Sequence, residues 1–302
     1  MSGADRMLWL LLAMAVSWSN TAAEGPPAET KQVPPADVRP RVDIFGDLLP
    51  TGAMARLGTV RFRQGNTIHA VAISPDGKTI ASAGYPKTIH LWDTATGKRV
   101  RRLEGSESWI WSLAFLPDGK TLVSSADDQS IRFWDVATGK QIRRLDKAGS
   151  RLAIAPNGKT MASADYLSVI RILDVASGKQ IHQLQRLKGT IHTLAFSPDG
   201  ETLAWGGGDD GNDIHLRLAH VATGKELRRC QGNGDEVRSL AFSPDGKTLA
   251  SAGNRHALRL WSVVTGKELR QLGGPEDYLG AVIFAPDGKT LISGHNDGSM
   301  TV

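Results

Sequence analysis

A short turn sequence recurs six times along this chain, and it limits the possible folds more than any other feature. Pro-Asp-Gly-Lys, or a close variant, begins at intervals of 42, 39, 42, 46 and 42 residues, at Pro75, Pro117, Pro156, Pro198, Pro244 and Pro286. Internal periods of about 20 to 50 residues are typical of proteins assembled from similar stacked units. A chain of 302 residues could otherwise hold two unrelated domains, but the period favours one repeat array.

Each repeat contains four short apolar runs, which in the first repeat are residues 68–74, 79–82, 89–93 and 100–103. The runs are rich in β-branched residues and are bounded by Gly, Pro, Asn or Asp, which predicts strands. The Asp-Gly pair supplies the positive φ that a tight hairpin turn needs. A sheet of four antiparallel strands cannot bury both of its faces alone. Radial packing of six such sheets buries them, and this predicts an all-β propeller.

In three of the repeats a tryptophan is the next-to-last residue of the third run, as in Leu91-Trp92-Asp93, Phe133-Trp134-Asp135 and Leu260-Trp261-Ser262. In a period of about 42 residues, these runs resemble WD40 repeats. The resemblance covers residues 59–302 and implies six four-stranded antiparallel blades that act as a non-catalytic interaction platform. The lead-in around residues 46–62 also resembles that of secreted bacterial WD40 proteins. The residues that match the structural positions of the repeat are Trp92, Asp93, Trp134, Asp135, Trp261, Asp128 and Asp297.

Several repeats depart from the WD40 pattern. The third-run tryptophan is replaced by Leu173 and Ala219 in the third and fourth repeats, and the usual second-run serine is Trp205 in the fourth. No Gly-His pair precedes any first run. We therefore expect an incomplete polar network in every blade and a stability that depends on apolar packing between blades.

The two ends of the repeat array complement each other. Residues 59–63 align with a fourth run, and residues 300–302 align with the start of a third run, so that Val302 matches Phe133. We predict that the N-terminal strand completes the last blade and closes the ring, which removes unpaired edges. A truncated seven-bladed propeller is the alternative.

The residues before the repeats predict export. Residues 1–23 have a short start with one arginine, an apolar run and a tail of small residues, as in a secretory signal peptide. Residues 24–41 are rich in proline and predict a disordered spacer, and residues 42–58 form a lead-in that can pack. No apolar run reaches the roughly 18 residues that span a bilayer, so the protein is not expected to cross a membrane. The predicted location is periplasmic or secreted.

Propellers bind partners mainly where loops enter the first strand and join the second strand to the third. Aromatic residues and arginines at these loops can anchor an interface because they bury large areas at low entropic cost. The predicted partner-binding rim is His69, Trp109, Trp111, His192, Arg238, Tyr278, Tyr85, Tyr166 and Arg255. In the alternative interpretation, Trp109 and Trp111 pack between the second and third blades.

The sequence predicts no catalytic or cofactor site. It lacks His-Glu-x-x-His, Gly-x-Ser-x-Gly and a phosphate-binding loop. The single Cys230 rules out an internal disulfide, and it stands at an apolar position of the repeat. The glycine-rich segment 206–213 favours an enlarged solvated turn over a Ca²⁺ site, so no metal is predicted. The alternative function is a propeller enzyme or small-ligand binder that uses the central channel.

Arginines recur on the fourth runs, as in Arg101-Arg102, Arg143-Arg144 and Arg228-Arg229. Charged residues on exposed edge strands prevent edge-to-edge aggregation, and the net charge of +5 is small, so no nucleic-acid partner is predicted. The expected protein is a monomer with an unidentified protein or peptide partner.

Overall fold

A computed structural model describes residues 47–48, 61–62, 64, 67–85, 87–184, 189–208, 216–230, 236–253, 258–272, 279–295 and 299–302. The predicted signal peptide, the proline-rich spacer and most of the lead-in lie outside these residues, as do Tyr278, Arg255, Asp297 and residues 209–213. Every regular element within the described ranges is a strand. In this part of the chain, therefore, no helix has the length and apolar character needed to cross a membrane.

The strands form six separate antiparallel sheets, which we call blades 1 to 6 in chain order. Blade 1 holds β1 (Ile68–Ile73), β2 (Thr79–Gly84), β3 (Ile89–Asp93) and β4 (Arg99–Leu103). Blade 2 holds β5 (Ile110–Phe115), β6 (Thr121–Ala126), β7 (Ile131–Asp135) and β8 (Gln141–Leu145). Blade 3 holds β9 (Arg151–Ile154), β10 (Thr160–Ala164), β11 (Ile170–Asp174) and β12 (Gln180–Gln183).

The remaining blades repeat this order. Blade 4 holds β13 (Thr190–Phe196), β14 (Thr202–Gly208), β15 (Leu216–His220) and β16 (Glu226–Cys230). Blade 5 holds β17 (Val237–Phe242), β18 (Thr248–Gly253), β19 (Leu258–Ser262) and β20 (Glu268–Leu272). Blade 6 holds β21 (Leu279–Phe284), β22 (Leu291–His295) and β23 (Met300–Thr301). The first strand of each blade packs on that of the next blade, from blade 1 through to blade 6.

This architecture confirms the predicted all-β propeller with six blades. The recurring turns behave as expected, because the glycine of each Pro-Asp-Gly or Pro-Asn-Gly turn has a φ between 65° and 75°. Within the described residues, blades 1 to 5 have four strands and blade 6 has three.

The predicted closing strand, residues 59–63, is described only at Arg61 and Phe62, which lie in a turn. The Phe62 amide donates a hydrogen bond to the carbonyl of Gly97 at 2.9 Å, and the Arg61 side chain lies against the same glycine. In the next blade, Arg101 of the outer strand β4 lies against Gly139 in the same way. The described residues thus occupy the place of an outer strand that precedes blade 1.

The hydrophobic core lies between neighbouring blades. Trp134 is fully buried in a cluster that includes Leu91 and Leu103 of blade 1 and Leu122 of its own blade. In blade 4 the tryptophan is on the second strand: Trp205 fills the corresponding cluster beside Ala219. The third and fourth blades therefore keep the regular strand order despite their altered sequences. Cys230 is buried as expected, and burial raises the pKa of its thiol to about 12.

Three blades contain a tryptophan–serine hydrogen bond, whereas in blade 4 the indole N–H of Trp205 is buried without a hydrogen-bond partner among the described residues. The indole N–H groups of Trp92, Trp134 and Trp261 donate to Ser82, Ser124 and Ser251 at 2.7, 2.8 and 2.9 Å. In blade 1 Ser82 donates onward to the side-chain oxygen of Gln64, which takes the place of the missing histidine.

Aspartates at the structural positions of the repeat fix turns. The Asp93 carboxylate accepts from the Thr96 amide and hydroxyl at 2.8 and 2.7 Å, and Asp135 accepts both groups of Thr138 at 2.6 Å. Burial alone would raise the pKa of Asp128, but hydrogen bonds from Arg132 and Ser130 outweigh it and lower the pKa to about 2.

The arginines of the outer strands also connect blades. Arg143 donates from both terminal nitrogens to the carbonyls of Ala176 and Val175 in blade 3, each at 2.5 Å. Arg228 donates from Nε to the carbonyl of Val264 in blade 5 at 2.8 Å. These contacts add a packing role to the edge protection expected from the sequence.

Candidate partner-binding face

The innermost strand of five blades carries a β-bulge at the same repeat position. The register against the second strand shifts at a single residue, which is His69, Trp111, His192, Arg238 or Gly280. A bulged residue is left out of the regular ladder, and the bend re-aims its side chain. Four of the predicted rim residues therefore lie at equivalent bulges on the inner strands.

Blade 3 has no bulge at this place. Its inner strand begins at Arg151, which pairs with Ala164, and the register is regular from there. Arg151 therefore stands at the register position of Ala70 in blade 1 and Ser112 in blade 2, one residue after the bulged residue of those blades. Sequence analysis missed Arg151, because the repeat position that carries His69 and Trp111 falls on Ser150 in blade 3.

An aromatic surface covers blades 1 and 2. The ring centroids of His69 and Trp111 are 4.7 Å apart, and those of Trp111 and Trp109 are 6.4 Å apart in an edge-on arrangement. Tyr85 continues the series, with its ring 6.3 Å from that of Trp109. Trp109 and Tyr85 are 44% and 53% exposed, so the outer end of this surface is open to a partner.

Trp111 is held in place by three blades. His69 of blade 1 packs on its ring, and the Arg151 guanidinium of blade 3 lies 4.5 Å from the ring centroid. Its indole N–H donates to Asp127 Oδ1 at 2.9 Å, and the Tyr166 hydroxyl donates to the same oxygen. Packing between blades 2 and 3 thus accounts for part of the environment of Trp111, whereas Trp109 remains largely exposed.

A charged chain continues the surface over blades 3 to 5. Arg151 Nε donates to the carbonyl of His192 at 3.1 Å. The His192 Nε2 atom lies 2.7 Å from Glu236 Oε1, and Arg238 lies 3.2 Å from the other carboxylate oxygen.

We call the aromatic surface and this charged chain together the rim arc. It consists of Tyr85, Trp109, His69, Trp111, Asp127, Tyr166, Arg151, His192, Glu236 and Arg238.

The electrostatics of the rim arc keep its imidazoles neutral near pH 7. Burial lowers the pKa of His69, and Arg151 lowers it further. Burial also lowers the pKa of His192; Glu236 opposes this effect, while Arg151 and Arg238 add to it. Burial lowers the pKa of the Arg151 guanidinium too, and its Nη1 is buried without a hydrogen-bond partner among the described residues.

The rim arc brings together seven of the nine residues predicted for the partner-binding rim. The other two, Tyr278 and Arg255, lie outside the described residues. Three members stand outside the predicted set. Asp127 follows β6, on a loop from a second strand to a third, where rim residues were expected, whereas sequence analysis missed Arg151 and Glu236. Glu236 directly precedes β17, where no repeated residue type marks the position.

Within the described ranges, no three His, Cys, Asp or Glu side chains are grouped closely enough to hold a metal ion.

Comparison with known families gives matches that are offset from the blades by one strand. The family described as "WD domain, G-beta repeat" (WD40) matches residues 57–93, 97–135, 178–212, 224–262 and 266–302. The chain belongs to the WD40 family. The matches 97–135, 224–262 and 266–302 each start just before an outer strand and run through the third strand of the following blade. The match 178–212 ends before β15, and residues 136–177, which contain most of blade 3, are not matched. The comparison with curated proteins finds no significant match.

Proposed function

We propose that this WD40 propeller is a non-catalytic scaffold that binds a segment of a protein partner on the rim arc. The observation that carries the proposal is the continuity of the rim arc, which links blades 1 to 5 through ring contacts, hydrogen bonds and ion pairs between neighbouring members. WD40 propellers commonly serve as protein-interaction platforms, so the family membership is consistent with this role.

The physical character of the rim arc suits protein recognition. Exposed tryptophan and tyrosine bury large areas on binding, and they are frequent at the energetically dominant positions of interfaces. Trp111 is already ordered by His69, Asp127 and Arg151, so binding need not restrict its side chain. A preordered surface loses less conformational entropy when a partner docks.

A photo-crosslinking experiment in the native cells tests this proposal. A photoreactive amino acid at Trp109 should capture one recurrent protein partner. The matched control is the same amino acid at Val264, which is 67% exposed on the turn after β19 and outside the rim arc. Capture of the same proteins from both positions would contradict the proposal.

The alternative, a propeller enzyme or small-ligand binder, has one observation in its favour. His192 and Glu236 form a close pair, and such a pair can serve in proton transfer. Purified protein can be assayed against panels of esters and glycosides, together with the Glu236→Gln variant. Turnover that this variant abolishes would favour the enzyme and overturn the scaffold.

The proposal also places the protein outside the cytoplasm. Its support is the signal-peptide pattern of residues 1–23. N-terminal sequencing of the protein from fractionated cells should give a mature chain that starts just after Ala22 or Ala23. An unprocessed chain in the cytoplasmic fraction would contradict export.

A further inference from the structure

The outermost strand of five blades carries a bulge at a fixed position. In each case the register against the third strand of the blade skips one residue, and that residue is aliphatic. A residue at a bulge is left out of the regular ladder, and the local bend re-aims its side chain. The skipped side chains are between 39% and 59% exposed. They are Val100, Ile142, Ile181, Leu227 and Leu269.

Protection against edge-to-edge pairing does not explain an aliphatic residue at these bulges. A bulge discourages pairing with a further strand whatever its side chain, and charged neighbours add to this effect. A polar residue would protect the edge equally well and would expose less apolar surface to water. The repeated aliphatic residue therefore indicates that part of the circumference buries these side chains against another surface.

Positive charge is concentrated beside two of the bulges. Residues 98–104 and 140–147, which include the outer strands of blades 1 and 2, contain eight Lys or Arg residues and two acidic residues. Their excess of six positive charges is larger than the net charge of +5 of the whole chain. In blades 4 and 5, by contrast, an acidic residue directly precedes the bulge, namely Glu226 or Glu268.

The outer edges of blades 1 and 2 form one continuous surface. Arg101, which directly follows Val100, lies against Gly139 in the turn that leads into β8, and Ile142 follows that turn. We call residues 98–104 and 140–147 together the outer basic surface. Within it, Lys98 pairs with Asp47 and Arg102 with Glu104, but three exposed cations form no ion pair with any described residue. They are Arg99, Lys140 and Lys147.

We infer that the outer basic surface binds a bilayer that contains anionic lipids. Val100 and Ile142 enter the boundary between head groups and acyl chains, while the surrounding cations lie beside the lipid phosphates. Buried apolar groups and electrostatic attraction both strengthen binding to such a bilayer. The surface contains no member of the rim arc, so this inference does not depend on the proposed function.

A bilayer fits the outer basic surface better than a strand from a partner protein. A partner strand would pair with the edge of one sheet, and the bulge bends that edge at its centre. A bilayer needs no backbone hydrogen bonds from the protein. It can contact the outer edges of two neighbouring blades at once, which matches the pairing of Val100 with Ile142 on one surface.

Co-sedimentation of the full chain with lipid vesicles tests the inference. Vesicles of equal parts phosphatidylcholine and phosphatidylglycerol should bind the chain at least roughly tenfold more tightly than vesicles of phosphatidylcholine alone. The neutral vesicles also measure any contribution of the apolar run in residues 7–16, because that run needs no anionic lipid. At about 0.5 M NaCl the difference should fall to roughly twofold or less, because salt screens the attraction. Equal binding to the two kinds of vesicle at low salt would overturn the inference.

Paired substitutions test the aliphatic residues. The double variant Val100→Ser with Ile142→Ser should bind the anionic vesicles at least roughly fivefold more weakly, because less apolar surface is buried. The matched control is Leu227→Ser with Leu269→Ser, which makes the same change at the equivalent bulges of blades 4 and 5. All four side chains are exposed, so both double variants should keep the Tm of the wild type. Equal vesicle binding by the two double variants would overturn the inference.

A fluorescent label locates the contact. A cysteine introduced by Gln141→Cys, beside Ile142, can be labelled selectively with nitrobenzoxadiazole, because the native Cys230 is buried and burial raises its thiol pKa to about 12. Anionic vesicles should shift the emission of this label to shorter wavelength as the dye enters a less polar environment. The same label at Gln271→Cys, on the outer strand of blade 5, should not respond. A response from both labels, from neither, or from the control alone would overturn the inference.

Two other occupants of the outer basic surface give distinct results. If an acidic protein segment is the ligand, soluble polyglutamate will bind the chain as tightly as the anionic vesicles do. If a second copy covers the surface, light scattering of the free protein will show a dimer that Val100→Ser with Ile142→Ser converts to a monomer. Either result would overturn a bilayer as the occupant, whereas a monomer that binds anionic vesicles more tightly than polyglutamate supports it.

Discussion

Trp134 and Trp109 have the same side chain and opposite surroundings. Trp134 is fully buried between two blades, and its N–H is satisfied by Ser124. Trp109 is nearly half exposed at the end of the aromatic surface. Burial decides the role of each: the first tryptophan stabilises the propeller, and the second is available to a partner.

Substitution of Ser124 by alanine tests the buried tryptophan site. The variant leaves the Trp134 N–H without its acceptor at 2.8 Å in a site closed to water. An unsatisfied buried donor costs about 1–3 kcal/mol, so the free energy of unfolding should fall by that amount in urea titrations. The control is Ser106→Ala, whose hydroxyl donates to a carbonyl in a partly exposed turn. A loss as large in the control would contradict a special role for the buried donor.

His90 makes the stability depend on pH. Its side chain is 6% exposed, and burial, together with Arg99 and Arg102, lowers its pKa from 6.5 to about 4. The folded state therefore keeps His90 neutral between pH 6.5 and 4, while the unfolded state binds a proton. The contribution of His90 to the free energy of unfolding is fully present above pH 6.5. It is lost as the pH falls to about 4, and the loss reaches about 3 kcal/mol.

The His90→Gln variant isolates this effect from other titrating groups. We expect the wild type to lose more unfolding free energy than the variant between pH 7 and pH 4.5, as measured by urea titration. The comparison is necessary because His69 and His192 also have lowered pKa values and act in the same direction. Parallel pH profiles for the two proteins would contradict the prediction.

At the scale of elements, three of the five bulges bring the first and second strands of a blade into close approach. The second-strand residues opposite three bulges are Gly84, Gly207 and Gly253. A Cβ atom on Gly253 would lie 1.7 Å from the carbonyl oxygen of Glu236, which is backbone and cannot move aside cheaply. Glycine at this position therefore lets the inner strand and the rim arc keep their geometry.

Gly253→Ala should destabilise the protein because β17 must shift away from β18. Forcing an extra carbon into a packed site typically costs about 1–3 kcal/mol. Denaturant unfolding measures the loss, and capture of the partner from Trp109 reports whether the rim arc is displaced. The reverse change in blade 2, Ala126→Gly, should cost no more than about 1 kcal/mol, because it removes only a methyl group and adds chain freedom. Unaltered stability of Gly253→Ala would contradict the strand approach described here.

The turns and apolar runs were sufficient to predict the strands and the six blades. The bulges could not be predicted from them, because a one-residue register shift leaves the turn period unchanged. Arg151 was not predicted either, because its contact with the Trp111 ring depends on how blade 3 packs on blade 2. Predicted rim residues such as His69 were identified by type and position, but their contacts depend on how neighbouring blades pack. Gln64 was missed because it substitutes for a histidine from outside the regular repeat.

At the scale of the whole molecule, the segment before blade 1 is anchored by one acidic residue. Asp47 is 5% exposed and lies 3.0 Å from Arg61 Nε and 3.7 Å from Lys98 Nζ of blade 1. Phe62 packs near Trp92, with ring centroids 6.2 Å apart. These contacts join the described part of the segment before blade 1 to the outer side of that blade, the side on which blades 2 to 5 contact the outer strand of the preceding blade.

Asp47→Asn should loosen this junction. The variant removes the negative charge of a nearly buried carboxylate that faces two cations, and a charge-assisted hydrogen bond contributes about 1.5–3 kcal/mol. In a domain of this size each kcal/mol corresponds to about 2–4 °C, so Tm should fall by about 3–12 °C in thermal scans. Deletion of residues 59–63, which also removes the packing of Phe62 and the predicted closing strand, should lower Tm further.

The control for this junction is Glu104→Gln. Glu104 pairs with Arg102 at 3.0 Å, but both side chains are more than half exposed, and such surface pairs contribute about 0–1 kcal/mol. Its Tm should therefore remain close to that of the wild type, and added salt should remove any difference. If Asp47→Asn and the deletion both melted like this control, the N-terminal segment would not close the propeller. A fall in Tm confined to those two variants is expected because only they disturb a desolvated contact between the first blade and the chain that precedes it.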